Sequence, residues 1–386
     1  MEIQEMLKCS ILRGGTSKAV FFMRNDLPAD PAVRDKTIRR VFGAPDAREI
    51  DGLGGADMLT SKVAIIGPST RKDCDVDYLF GQVHILKPMI DYGLNCGNIS
   101  SAVGPFAIDE GLVDAVEPVT IVRIHQVNTR TVIVAEVPVR GKKAEVDGDY
   151  EIDGVPATGA RINLDFSSSA GGITGSFLPT GNVVDVLRVD GEGDFEVSMV
   201  DAANPTVFIR ASDVGLEGTE TPQEIDSAPE LIAKVEKIRS HAAVAMGLVD
   251  DWQRATDERP NVPFAALCAP ATSYASWTTG QRVDSESIDI CVRLMAMKRV
   301  HQAYPVSGTI CTVAASMIPG TIVNQIAKSE VVDRGELRVG HPAGIIAAEG
   351  RVDKEGESYV LKRAAVGRTA RLLMKGYAFI PKSTIS

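Results

Sequence analysis

Two side chains in this sequence are suited to moving protons, and the local sequence around each could tune it for that task. Cys96 stands in Asn95-Cys96-Gly97-Asn98, directly before an apolar, small-residue run from Ile99 to Ile108. A glycine-containing turn feeding such a run places Cys96 at a helix N-terminus. There the unpaired backbone N–H groups and the helix dipole favour negative charge. Such a position stabilises a thiolate and also offers donors to a substrate carboxylate. The other reading of Cys96 is a small buried hydrophobe, the common fate of a free cysteine. Lys62 follows Leu59-Thr60-Ser61 and opens the strand-like run Val63-Ala64-Ile65-Ile66. Desolvation at the edge of a buried strand favours the neutral amine, a usable general base. Otherwise Lys62 is a strand-end lysine reaching solvent.

Several loops have the composition of anion sites. Arg13-Gly14-Gly15-Thr16-Ser17-Lys18 lacks the glycine spacing of a Walker A loop, and no GxGxxG follows a strand elsewhere. A glycine turn rich in Arg and Ser/Thr suits a carboxylate better. Asp51-Gly52-Leu53-Gly54-Gly55-Ala56-Asp57 is consistent with backbone approaching a ligand. Gly340-His341-Pro342-Ala343-Gly344 is a turn that could present His341 to a cleft, although a lone loop histidine is more often incidental.

The elements that position these residues are mostly strands. Residues 119–126 and 131–139 alternate in strand period around an Asn-Thr-Arg turn and read as a hairpin, and Asp147-Gly148, Asp153-Gly154 and Asp190-Gly191 mark further turns. Asp30-Pro31 opens a helix that Gly43 ends. Ser227 and Glu230 form a capping box before Leu231, Val235, Ile238, Ala242 and Met246, with Gly247 closing that helix. A third helix is expected over about 285–300, so the class is α+β.

A weak internal repeat organises the chain. Residues 16–27 lie over 203–214 at a fixed offset of 187, with Val20/Val207, Phe21/Phe208 and Asp26/Asp213 identical. Residues 96–103 lie over 307–314 in the same order, which makes Ser307-Gly308-Thr309 the counterpart of Cys96-Gly97-Asn98. The repeat predicts a duplicated fold with domains over 1–185 and 186–386, the last strands packing back on the first domain. In such a pseudosymmetric protein two helix N-termini face each other across a cleft, an arrangement suited to a molecule with carboxylates at both ends.

Composition narrows the function classes. The chain has 386 residues, 44% apolar and 24% charged, the balance of a soluble globular protein. No membrane span or signal peptide is evident. A net charge of −10 and the absence of a basic run argue against nucleic acid. Six cysteines (Cys9, Cys74, Cys96, Cys268, Cys291 and Cys311) and five histidines are scattered, so no disulfide framework or zinc site is read and the expected compartment is the cytoplasm. Apart from Cys96, the cysteines read as structural.

Taken together, Arg13-Gly-Gly-Thr-Ser-Lys18, Asp51-Gly-Leu-Gly-Gly, Thr60-Ser-Lys62, Asn95-Cys-Gly-Asn98, Ile318-Pro-Gly-Thr321 and Gly340-His-Pro-Ala-Gly344 resemble the PrpF family over essentially the whole chain. That family includes methylitaconate Δ-isomerases, methylaconitate isomerases and oxalomesaconate tautomerases. The resemblance implies a diaminopimelate-epimerase-like fold of two similar domains, each a β-barrel-like sheet around a central helix, with the active site in the cleft between them. It places the family's catalytic lysine on Lys62 and its active-site cysteine on Cys96. The loops carrying Arg13, Thr16 and Ser17, with Ser61, and Asn95, Gly97 and Asn98, would then hold substrate, joined by Ser307, Gly308, Thr309 and His341.

Epimerases of this fold use two cysteines, and here the second position is Ser307, a poor proton-transfer base near neutral pH. Racemisation is therefore disfavoured against a one-sided 1,3-proton shift. The expected activity is isomerisation of a small unsaturated di- or tricarboxylate such as methylitaconate or aconitate/methylaconitate, needing no metal, nicotinamide or pyridoxal phosphate. Oxalomesaconate tautomerisation and non-catalytic carboxylate binding stay open as alternatives. A homodimer or homotetramer is an ordinary expectation.

Overall fold

The computed structural model describes residues 3–93 and 95–384. The chain forms two compact units, one of Met1–Leu164 with Gly367–Ser386 and the other of Asp165–Val366. In the first unit β1 (Gln4–Gly14), β2 (Ser17–Met23), β3 (Lys62–Pro68), β4 (Val76–Val83), β5 (Val119–Gln126) and β6 (Thr131–Arg140) pair successively. The pairings run antiparallel, parallel, antiparallel, parallel, antiparallel. Helix α1 (Pro31–Phe42) connects β2 to β3, and α2 (Gly97–Asp109) lies between β4 and β5.

Strand β3 shows how the core is built. Its Lys62-Val-Ala-Ile-Ile-Gly stretch is buried on both faces rather than alternating, because a helix covers each side of the sheet. Ile38, Val41 and Phe42 of α1 join Val20, Phe22, Val63 and Ile65 in one cluster. On the opposite face the Phe21 ring meets Phe106 of α2 at 5.3 Å. Helix α2 is buried from Ile99 to Ile108, as an all-apolar helix must be.

The second unit repeats this plan. After β7 (Asp185–Val189), strands β8 (Gly193–Ala202), β9 (Asn204–Arg210), β10 (Phe264–Pro270), β11 (Ile290–Ala296), β12 (Glu336–His341) and β13 (Gly344–Glu355) follow the same alternation of antiparallel and parallel pairings. Helix α3 (Pro229–Ala245) connects β9 to β10, and the fully buried α4 (Val306–Ser316) lies between β11 and β12. Strands β2 and β9 begin and end 187 residues apart, the offset of the sequence repeat. Finally β14 (Ser358–Arg368) leads into β15 (Ala370–Pro381), which pairs with β1 from Gln4↔Pro381 to Gly14↔Ala370.

Local signals fared unevenly. Asp30 caps α1 through a bond from the Val33 N–H at 2.9 Å, Pro31 opens it, and Gly43 closes it at φ 77°. The hairpin over 119–139 forms in the expected register, with Gln126 opposite Thr131. The helix expected over 285–300 is instead a 3-10 turn at Ser285–Ser287 followed by strand β11. Ile290–Met295 is buried on both faces between β10 and β12, so it shows no alternation to separate strand from helix. The Ser227/Glu230 capping box does not form. The reciprocal pair is Thr221 with Glu224 on a five-residue helix Pro222–Asp226, and Ser227 caps that helix's C-terminus.

The sequence placed the domain junction near 185, whereas residues 165–185 belong to the second unit. Buried Asp201 of β8 holds this stretch, its Oδ2 accepting from Ile173 N, Thr174 N and Thr174 Oγ1 at 2.7–2.9 Å. Val183 O also accepts from Ser198 Oγ at 2.6 Å.

Candidate active site

Lys62 and Cys96 meet. Lys62 is the first residue of β3, and Cys96 is the N-cap of α2. The two are 34 positions apart in sequence, yet Lys62 Nζ donates to Cys96 Sγ at 3.3 Å, and both residues are buried at 8% and 9% exposure. Lys62 Nζ also lies 5.6 Å from the centroid of the Phe80 ring. Cys96 is extended, at φ −113°, and no side chain caps the helix it begins. Its carbonyl accepts from Ser100 N and Ser100 Oγ, both at 3.0 Å. Burial first and the nearby Cys96 second push the Tyr78 phenol well above its usual range. Burial alone pushes Cys268 up, and burial first also raises Cys9, Cys291 and Cys311, the last to about 12.

Lys62 is held from behind by Ser61. The Ser61 carbonyl accepts from Gln82 Nε2 at 2.9 Å and Val83 N at 3.1 Å, while Ser61 Oγ donates to Glu49 Oε2 at 2.5 Å. Glu49 is 1% exposed, and the same oxygen accepts from Ala56 N at 2.7 Å. This explains the glycine-rich loop more directly than a ligand would. A Cβ on Gly54 would stand 2.2 Å from the Glu49 carboxylate, so the close backbone approach is to Glu49.

The Arg13–Lys18 turn packs on the first turn of α2. Gly15 has φ +52°, and a Cβ there would fall 2.1 Å from Asn98 Oδ1, so only glycine fits. Asn98 Nδ2 donates to Thr16 Oγ1 at 3.0 Å. Arg13 is part of the same turn. Its Nη1 donates to the Gly15 and Thr369 carbonyls, each at 3.0 Å, which ties the turn to the returning C-terminal chain. The Ser17 hydroxyl is buried without a hydrogen bond, and Asn95 Oδ1 accepts from Ser100 Oγ at 3.5 Å. Gly97 is the first residue of α2.

Arg368 was not singled out from sequence. It ends β14 and is 6% exposed. Its Nε donates to Asn98 Oδ1 at 3.2 Å, across 270 residues of sequence. It lies beside Gly367, where the chain returns to the first unit, and no local motif marks it.

Ser307, Gly308, Thr309 and His341 lie in the second unit. Ser307 is the second residue of α4, whose N-cap is Pro305, whereas Cys96 is itself the N-cap of α2. Thr309 Oγ1 donates to Pro305 O at 3.1 Å, and a Cβ on Gly308 would meet Leu294 at 2.6 Å. His341 is buried, its Nδ1 accepting from Ala343 N at 3.2 Å and its ring stacked on Tyr304 at 6.3 Å. Among the described residues no group of three or more His, Cys, Asp or Glu could hold a metal ion, and no helix is long and apolar enough to cross a membrane.

Comparison with known proteins shows the family. The chain is 48% identical to a 3-methylitaconate isomerase of Eubacterium barkeri over 385 residues, covering all of both chains. It is 41% identical to a 2-methyl-aconitate isomerase of Shewanella oneidensis over 98% of each. A crystal structure of a methylitaconate-delta-isomerase superposes with a TM-score of 0.90 at 47% identity, over 100% of this chain and 98% of that one. A hydroxyproline epimerase from Agrobacterium vitis shares the fold, with a TM-score of 0.54 at 9% identity over 99% of this chain and 95% of that one. The PrpF protein family model matches residues 4–381, and the chain belongs to that family.

Proposed function

We propose that this chain is a cofactor-independent isomerase that shifts a C=C bond in a small unsaturated dicarboxylate of the methylitaconate type. The observation that carries the reading is the buried 3.3 Å contact of Lys62 Nζ with Cys96 Sγ at the N-terminus of α2. Lys62, as the free amine, accepts the proton from the carbon that is both allylic and α to a carboxylate. The C–H electrons form the new double bond as the old one shifts toward the methylene carbon. The charge that develops spreads over the allyl unit into the carboxylate, where the free N–H groups at the start of α2 favour it. The ammonium returns the proton to the methylene carbon, which becomes a methyl group, and atoms and charge balance. Cys96 accepts a hydrogen bond from the amine and serves as the second acid/base.

The duplication supports a one-sided reaction. At the register position of Lys62 the second unit has Phe264, and at the aligned position of Cys96 it has Ser307. The first unit therefore holds both members of the acid/base pair, which suits a shift along one face better than inversion of a stereocentre.

Proton NMR of the purified protein in D2O with methylitaconate, trans-aconitate and oxalomesaconate, beside Lys62→Ala, tests the reading. A moved double bond and deuterium in one substrate, both absent with the variant, is the expected result. No turnover of any of the three would overturn it and favour a carboxylate-binding protein.

A further inference from the structure

Three buried arginines in this chain have different surroundings. Arg239 pairs with Glu236 and donates to two backbone carbonyls. Arg293 donates to Glu220 O and Val292 O and lies 5.0 Å from the Tyr274 ring centroid. Arg368 has neither a carboxylate nor an aromatic face among the described residues. Its bonds are Nε to Asn98 Oδ1 at 3.2 Å and Nη1 to Gly367 O at 2.8 Å. A guanidinium has five N–H donors, so most of its donor capacity is unused. Burial also pulls its pKa down to about 10, and the Tyr150 phenol offsets this only in part. A buried charge without a partner is costly, and the cost is removed when an anion binds.

The position of the guanidinium says which anion. Asn98, its Nε acceptor, is the second residue of the 13-residue helix α2, whose first turn has no side-chain cap and begins at Cys96. The guanidinium thus bonds a side chain in the first turn of the helix that Cys96 begins. Arg368 is held there deliberately. Gly15 N donates to Thr369 O at 2.9 Å, and Arg13 Nη1 donates to the same carbonyl at 3.0 Å.

We propose that Arg368 is the residue that binds a substrate carboxylate, with its remaining N–H donors and the first N–H groups of α2 forming one anion site, and that Arg13 positions it. The inference rests on the isomerase reading of the Lys62–Cys96 site and supplies that site's carboxylate recognition. It assigns to Arg368 the role that the sequence motif suggested for Arg13. A planar guanidinium engages a carboxylate through two parallel bonds that an ammonium cannot reproduce.

The test uses the full chain and two readouts. Binding of methylsuccinate, a saturated dicarboxylate that cannot isomerise, is measured by calorimetry on wild type, Lys62→Ala, Arg368→Lys and Asn98→Asp. Methylitaconate turnover is followed in parallel. The expected result is that Lys62→Ala binds within about threefold of wild type but does not turn over, whereas Arg368→Lys binds at least tenfold more weakly with KM raised in step. Asn98→Asp gives the guanidinium a permanent internal carboxylate. It therefore keeps the protein folded, also weakens binding at least tenfold, and covers the case in which Arg368→Lys does not fold. Unchanged affinity and KM in Arg368→Lys, or in Asn98→Asp if the first is unfolded, would overturn the proposal while leaving the isomerase reading intact. Wild type that neither binds methylsuccinate nor turns over methylitaconate would overturn both.

Discussion

Phe264 stands in the second unit at the register position that Lys62 holds in the first. Lys62 pairs in parallel with Ala19 of β2, and Phe264 pairs in parallel with Thr206 of β9, the residue 187 positions after Ala19. Duplication therefore preserved the strand pairing while a single unit kept the amine. Lys62→Ala should lower turnover by about 10²–10⁴-fold, the range for a lost general base. Circular dichroism should show the fold intact, because Lys62 opens β3 and its amine contacts Cys96 instead of joining the apolar cluster. An active Lys62→Ala enzyme would remove the lysine from the mechanism.

Cys96 separates two roles by kinetics. If the thiol relays protons with Lys62, Cys96→Ser and Cys96→Ala should both reduce kcat by about 10²-fold or more while KM moves less than about threefold. Steady-state measurement with methylitaconate decides the matter. A raised KM with kcat preserved would make Cys96 a group that only orients the substrate.

Glu49 should matter through Ser61. Its Oε2 is the acceptor for both Ser61 Oγ and Ala56 N, so Glu49→Ala leaves buried donors unsatisfied. A loss of about 2–4 kcal/mol in urea unfolding is expected, since each unsatisfied buried group costs about 1–3 kcal/mol. Glu49→Gln retains one oxygen for both donors and should recover most of the stability and activity. Equal losses in the two variants would instead point to the carboxylate charge.

Asp289 provides a pH signature in the second unit. It is fully buried, and although desolvation acts to raise its pKa, bonds from Arg338 side chain and backbone with the charges of Arg338 and Arg334 hold it below the usual aspartate value. The unfolded chain takes up the proton first as pH falls. The stabilisation is thus complete above the unfolded pKa of about 3.9 and is lost as pH drops through the folded value. Asp289→Asn should cost about 2 kcal/mol at neutral pH, with the 36% and 29% exposure of Arg334 and Arg338 limiting the figure. Its stability should also vary less below pH ~4 than that of wild type. Parallel pH curves for the two proteins would contradict this assignment.

Much of the site was legible because its signals are local. A helix N-terminus is announced within a few residues, so Asn95-Cys96-Gly97-Asn98 placed Cys96 at the start of α2, where it is the N-cap. Asp30-Pro31 and Gly43 bounded α1 for the same reason. The repeat also survived in sequence, because the buried strand β9 needs the residue types of β2.

Local sequence therefore carried the elements that hold Lys62 and Cys96, the duplication, and the class of chemistry those residues permit. Tertiary structure alone decided which residues meet. The Lys62–Cys96 contact spans 34 positions and the Arg368–Asn98 contact 270. Distances of that kind are set by sheet register and by helices packing on both faces, which no short window of residues encodes. The same limit hid β11, whose buried run has no periodicity to read, and the bond from Arg13 to the Thr369 carbonyl.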